Sequence, residues 1–135
     1  MKLFYAYAPE DEAEAKSVLQ QLTKLGYDLE KVDTVPSDPS QVTLAFFSSK
    51  TNLNSFWKAL PWLKEQKQYS SYPFLRVMPF FLYHSKQEDP EIAFEGSAGE
   101  LYEAVFSGEF KPFGWDFDQS CPEAEFQRVL NNYEE

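Results

Sequence analysis

The sequence predicts an α/β domain built on a parallel sheet, and three observations carry that prediction. Short apolar runs at residues 3–8, 42–47 and 74–83 have strand length and end in turn residues. Stretches with the 3.6-residue period of amphipathic helices follow these runs. The run at 42–47 carries almost no polar alternation, as expected of a strand covered on both faces.

The first run, Leu3-Phe4-Tyr5-Ala6-Tyr7-Ala8, reads as a buried strand that stops in the acidic turn Pro9-Glu10-Asp11-Glu12. Over residues 12–25, Ala15, Val18, Leu19, Leu22 and Leu25 recur at helical spacing, and Gly26 supplies a left-handed stop. Residues 27–32 alternate large apolar with charged side chains, the pattern of a strand near a sheet edge. Residues 33–40, with Pro36 and Pro39, read as a loop.

Val42-Thr43-Leu44-Ala45-Phe46-Phe47 is the expected central strand, and residues 48–54 turn the chain. Phe56, Trp57, Leu60 and Leu63 keep a helical spacing, but Pro61 would remove a backbone donor in mid-helix. Either a helix begins near Pro61 or two short pieces meet there. Residues 74–83 read as a fourth strand in which Pro79, unable to donate to a ladder, is expected at a bulge or an irregular end.

After a polar stretch at 84–99, helical spacing returns over 98–107 through Leu101, Tyr102, Ala104 and Val105, and residues 113–117 read as a short last strand. Ser120 and Glu123 form a capping-box pattern with Pro122 in the first turn, and Phe126, Val129, Leu130 and Tyr133 give a docking stripe. Right-handed crossovers through these units lead to a three-layer, flavodoxin-like, five-stranded parallel sheet of order 2-1-3-4-5 flanked by helices. One domain over residues 1–135 accommodates all of it.

Aromatic residues make up 18% and apolar residues 43% of the chain, which argues against disorder. Twelve basic against 22 acidic residues leave a net charge of −10, which repels nucleic-acid phosphates and anionic lipid surfaces. Neither nucleic acid nor membrane is expected as a partner; the charge serves solubility or attracts a basic partner. Cys121 is the only cysteine, which excludes an intrachain disulfide and a Cys-rich metal site and fits a reducing compartment. The first apolar run is too short for a secretory signal, so the expected location is cytoplasmic.

In such a sheet, ligands meet the chain beyond the carboxyl ends of the strands. Those ends collect Asp11, residues 33–36, Ser48, Ser49, Lys50, His84 and residues 115–118. A flavin or nucleotide phosphate would need a Gly- or Ser/Thr-rich first turn, and this one is acidic. A phosphoacceptor receiver would need an aspartate ending the third strand, where Ser48 and Ser49 stand, and Lys111 precedes the last strand instead of ending it.

Each rim residue has two readings. Asp11 is a helix cap, the preferred reading, or a ligand group. His84, the only histidine, is an acid/base residue or a solvated loop residue. Trp57 stacks on a ligand or packs in the core. Ser48, Ser49 and Lys50 together suit an anionic group or form a simple loop. Cys121, beside Pro122 with no histidine near in sequence, carries no expected nucleophilic role.

The same residues resemble the Toll/interleukin-1 receptor (TIR) domains. The first motif of that family is Phe, an apolar residue, Ser, Tyr and then Asp; Phe4, Tyr5, Ala6, Tyr7 and Asp11 keep the spacing, with Ala6 in place of the serine. The second motif, Arg-Asp-x-x-Pro-Gly, is matched by Asp33 and Pro36 within Val32-Asp33-Thr34-Val35-Pro36-Ser37. The third, an apolar strand, Ser and a later Ser-x-Trp, is matched by Ser48-Ser49 and Ser55-Phe56-Trp57. The resemblance covers most of residues 2–83 and implies a cytoplasmic signalling domain that acts through self-association or a protein partner, without a cofactor.

On that resemblance Asp33, Val35, Pro36 and Ser37 would contact the partner. Tyr7, Asp11, Ser48, Ser49, Lys50, Trp57 and His84 would surround a ligand cleft. Family members that cleave NAD use a glutamate four residues after the tryptophan, where this chain has Pro61. Glu65 lies one turn further, a displacement of about 6 Å on a helix. The expectation therefore leans away from an enzyme, the alternative being an NAD glycohydrolase or related nucleotide-processing enzyme with NAD as substrate and Glu65 as its carboxylate. A deoxyribosyltransferase-like reading would use Glu88, Asp89 or Glu95.

Overall fold

A computed structural model of the chain describes residues 2–32, 42–59, 76–84, 86, 99–106, 113–118 and 123–134. Five strands form one parallel sheet: β1 (Lys2–Ala6), β2 (Asp28–Lys31), β3 (Val42–Phe47), β4 (Arg76–Tyr83) and β5 (Phe113–Asp116). Their order across the sheet is β2-β1-β3-β4-β5. A single 3₁₀ turn (Pro9–Asp11) leads into α1 (Glu12–Lys24), and α2 (Leu53–Ala59), α3 (Gly99–Phe106) and α4 (Glu123–Glu134) complete the described helices. This is the flavodoxin-like order that the alternation of elements predicts.

Strand periodicity sorts the core into two layers. Leu3 of β1, Val42, Leu44 and Phe46 of β3 and Met78, Phe80 and Leu82 of β4 pack with Ala15, Val18 and Leu22 of α1 and Phe126 and Leu130 of α4. Phe4, Ala6, Ala45, Phe47, Val77 and Phe81 face the other way, against Phe56 of α2 and Leu101 and Tyr102 of α3. Helices therefore cover both faces. Every residue of β3 is buried, whereas β2, at the edge, buries none of its four residues fully. Trp115, Phe46, Phe80 and Phe126 interlock on one face, each less than 2% exposed, and burying each aromatic side chain contributes about 1.5–3 kcal/mol.

The end of α1 follows its sequence signal closely. Gly26 adopts φ +98°, its N–H donates to the Thr23 carbonyl at 3.0 Å, and the Tyr27 N–H donates to the Leu22 carbonyl at 3.2 Å. This pair of bonds is the Schellman motif, and it requires the left-handed residue that glycine supplies without strain.

The first apolar run pairs in the sheet as far as Ala6, and Tyr7 and Ala8 lead into the 3₁₀ turn. One local expectation needs correction. Pro79 sits at neither a bulge nor an end, because the register with β3 runs without a break through Leu44↔Met78, Ala45↔Pro79 and Phe46↔Phe80. Among the described residues the pairing with β5 begins at Phe80, one residue after the proline. Pro61 and the capping residues 120–122 lie outside the described residues.

Candidate functional site

The carboxyl ends of β1 and β3 are tied together by an acidic brace. Asp11 stands at the N-cap position of α1, yet its side chain makes no cap hydrogen bond, contrary to the preferred sequence reading. The carboxylate turns instead to the β3–α2 loop. Ser48 Oγ donates to Asp11 Oδ1 at 2.5 Å, and Thr51 Oγ1 donates to Asp11 Oδ2. Two hydroxyl donors aimed into an interior position outcompete the exposed backbone donors of the helix end, because charge-assisted bonds gain most where water is excluded.

The brace extends on both sides of Asp11. Ser48 N donates to Thr51 Oγ1 at 2.7 Å, and Lys50 N donates to Ser48 Oγ at 3.2 Å, so the loop also folds on its own hydroxyls. Glu10 Oε2 accepts from Asn52 N at 2.9 Å. Lys50 Nζ meets Glu14 Oε1 at 2.8 Å. Glu10 and Asp11 of the β1–α1 connection and Glu14 of the first turn of α1 thus engage Ser48, Lys50, Thr51 and Asn52 of the β3–α2 loop, and the Asn52 side chain in turn accepts from the Asn54 and Ser55 N–H groups at the start of α2.

Electrostatics separate the three acids. Burial pushes the Asp11 carboxyl above its ordinary range, with the Ser48 and Thr51 bonds opposing the rise. The bond from the Asn52 backbone holds Glu10 below the usual range, and the bond from Lys50 does the same for Glu14. Asp11, only 1% exposed, is the member whose charge is hardest to keep.

Beside the brace lies a cleft of about 370 Å³, lined by Tyr7, Pro9, Lys31, Ser55, Lys58 and Ala59. Lys31 comes from the end of β2 and Lys58 from the last turn of α2. Lys31 Nζ lies 5.2 Å from the centre of the Tyr7 ring, and Tyr5 stacks on that ring at 6.1 Å. Cationic and aromatic groups at one concave place suit an oxyanion, with or without an attached ring.

Across the sheet, His84 stacks on Phe117 at 4.8 Å, with Nδ1 3.9 Å from Asp118 Oδ1, beyond hydrogen-bond distance. Asp118 Oδ2 accepts from Lys86 N at 2.7 Å. Among the described residues no group of three His, Cys, Asp or Glu side chains could hold a metal ion, and no helix is long and apolar enough to cross a membrane.

The residues singled out in sequence therefore separate. Asp11, Ser48 and Lys50 belong to the brace, and Ser49 lies beside them and borders a second hollow with Thr51, Asn52 and Glu100. Tyr7 lines the cleft; Trp57 packs against the core under α2, with its ring 6.1 Å from Phe56. Asp33, Val35, Pro36, Ser37 and Glu65 lie outside the described residues, as do Glu88, Asp89 and Glu95.

Thr51, Lys31 and Lys58 escape sequence reasoning, and Ser55 enters it only as part of the Ser-x-Trp resemblance, not as a cleft residue. Thr51 carries a usable signal, a second hydroxyl three residues after Ser48 in the turn that leaves the central strand. The cleft lysines carry none, since they come from unrelated elements. No protein-family model matches the chain, and no curated protein matches it either.

Proposed function

We propose that this chain is a TIR-like signalling module that works through protein contacts, self-association first among them. The observation that carries this reading is the brace: the acids and hydroxyls best placed for chemistry at the strand ends are engaged with one another. Such an arrangement gives a rigid rim able to present neighbouring surfaces to a partner, at little entropic penalty on binding. The strand order and the family-like motifs at Phe4, Tyr5, Tyr7, Asp11, Ser48 and Trp57 lend it further support.

A second reading is an enzyme that processes NAD or a related nucleotide, and the cleft favours it. Lys31 and Lys58 could hold phosphates while Tyr7 offers a ring, with Glu65 the carboxylate to test. One experiment separates the two. Light scattering over a wide concentration range reports association, and nicotinamide release from NAD at high protein concentration, with Glu65→Ala as the comparison, reports turnover. Concentration-dependent association without turnover is the expected result; turnover that Glu65→Ala removes would overturn the binding reading.

A further inference from the structure

We propose that the cleft between the ends of β1 and β2 and helix α2 docks carboxylates of a second copy of this chain. The inference rests on the self-association reading and names its contact. Charge is the first argument. Lys2, Lys16, Lys50 and Arg128 each pair with a glutamate, whereas among the described residues Lys31 and Lys58 make no ion pair. Lys24 and Lys86 make none either, but Lys31 and Lys58 are the two that border one cleft.

The composition supplies the complement. With 22 acidic against 12 basic residues, a second copy offers carboxylates in excess. Like-signed copies repel at long range, so association needs a place where the sign reverses, and a concave cationic site focuses the field that draws a carboxylate in. Glu10 is the acid nearest in sequence to the cleft residue Pro9, and Asn52 N together with the Ser55 hydroxyl engages it. Glu12, whose carboxyl Lys31 also helps to lower, pairs with Lys16, so neither acid forms an ion pair with the cleft lysines among the described residues.

Preorganisation is the second argument. The Tyr7 ring holds Lys31 from below and is itself stacked on Tyr5. Lys58 rides on α2, which follows directly on Thr51 and Asn52, both held by the brace. Side chains already held in place lose less freedom when a partner arrives. The contact pairs a cationic cleft on one copy with an acidic surface on the next, a heterologous arrangement that builds rings or open chains.

The test is sedimentation velocity on the full chain over a concentration series, in low salt and in sodium chloride at high concentration. Its variants are Lys31→Ala/Lys58→Ala and Lys31→Arg/Lys58→Arg, each checked for unchanged circular dichroism. Expected are at least tenfold weaker association for the alanine pair, retention for the arginine pair, and loss in high salt. An alanine variant that folds and associates like the parent would overturn the docking site alone. A parent chain monomeric at every concentration would overturn the self-association reading itself.

Discussion

The brace and the cleft adjoin each other at the ends of β1 and α2, and they treat charge in opposite ways. In the brace, Glu10, Asp11 and Glu14 each have a partner on the β3–α2 loop, and the central carboxylate is 1% exposed. In the cleft, Lys31 and Lys58 are exposed and make no ion pair among the described residues. Satisfied polar groups stabilise a fold and hold it in one geometry, while charges left over at a concave surface are available for binding. Stability should therefore respond to changes in the brace and association to changes in the cleft.

The hardest test of that contrast is Asp11→Ala. It strands the Ser48 and Thr51 hydroxyls in the interior and should lower the unfolding free energy by about 2–4 kcal/mol in denaturant titration. A loss below about 1 kcal/mol would mean that the two hydroxyls satisfy each other. Thr51→Val, which removes a donor to Asp11 and the acceptor of Ser48 N, should cost about 1–2 kcal/mol, and Thr51→Ser should restore most of it.

A pH series sharpens the comparison within the brace. Because burial raises the folded carboxyl of Asp11 above its unfolded value of about 3.9, the folded state binds the proton more tightly, and this group's contribution to stability falls as pH rises through that window. Asp11→Asn removes the term. The deficit of the variant relative to the parent should therefore grow as pH is lowered from 7 through the window, and a deficit that shrinks on acidification would reverse the sign assigned to Asp11.

Glu10 and Glu14, whose carboxyls are lowered, act the other way: what they contribute is present above their unfolded values and is lost as acid protonates them. Their pairs are small in effect. Lys50→Ala should cost less than about 1 kcal/mol, since its side chain is 62% exposed. Smallest of all, Lys31→Ala/Lys58→Ala should leave unfolding free energy within about 0.5 kcal/mol of the parent. A larger loss by thermal or denaturant unfolding would make the cleft lysines part of the fold's support.

Much of the fold was legible because local patterns and tertiary demands agree. The unbroken apolar run Val42-Thr43-Leu44-Ala45-Phe46-Phe47 could be satisfied only by cover on both faces, and Gly26 could end α1 only through its left-handed conformation. The rim was less legible. Asp11 at a helix start and Ser48 after the central strand were both recognisable as polar groups at strand ends, but a carboxylate beside free backbone donors has a local partner ready, and cap is the natural reading. Its partner is instead 37 residues away, a distance along the chain at which periodicity and spacing say nothing.

The sequence by itself determined the alternation of strand and helix, the central place of residues 42–47 and the stop at Gly26. These rest on hydrophobic period and backbone conformation, which are properties of neighbouring residues. Only the tertiary structure decided that Asp11 braces a distant loop, that Pro79 keeps a regular register, and that Lys31 and Lys58 border one cleft with Tyr7. Those outcomes depend on which donor wins in a crowded interior and on where separate elements are brought together by closing the sheet.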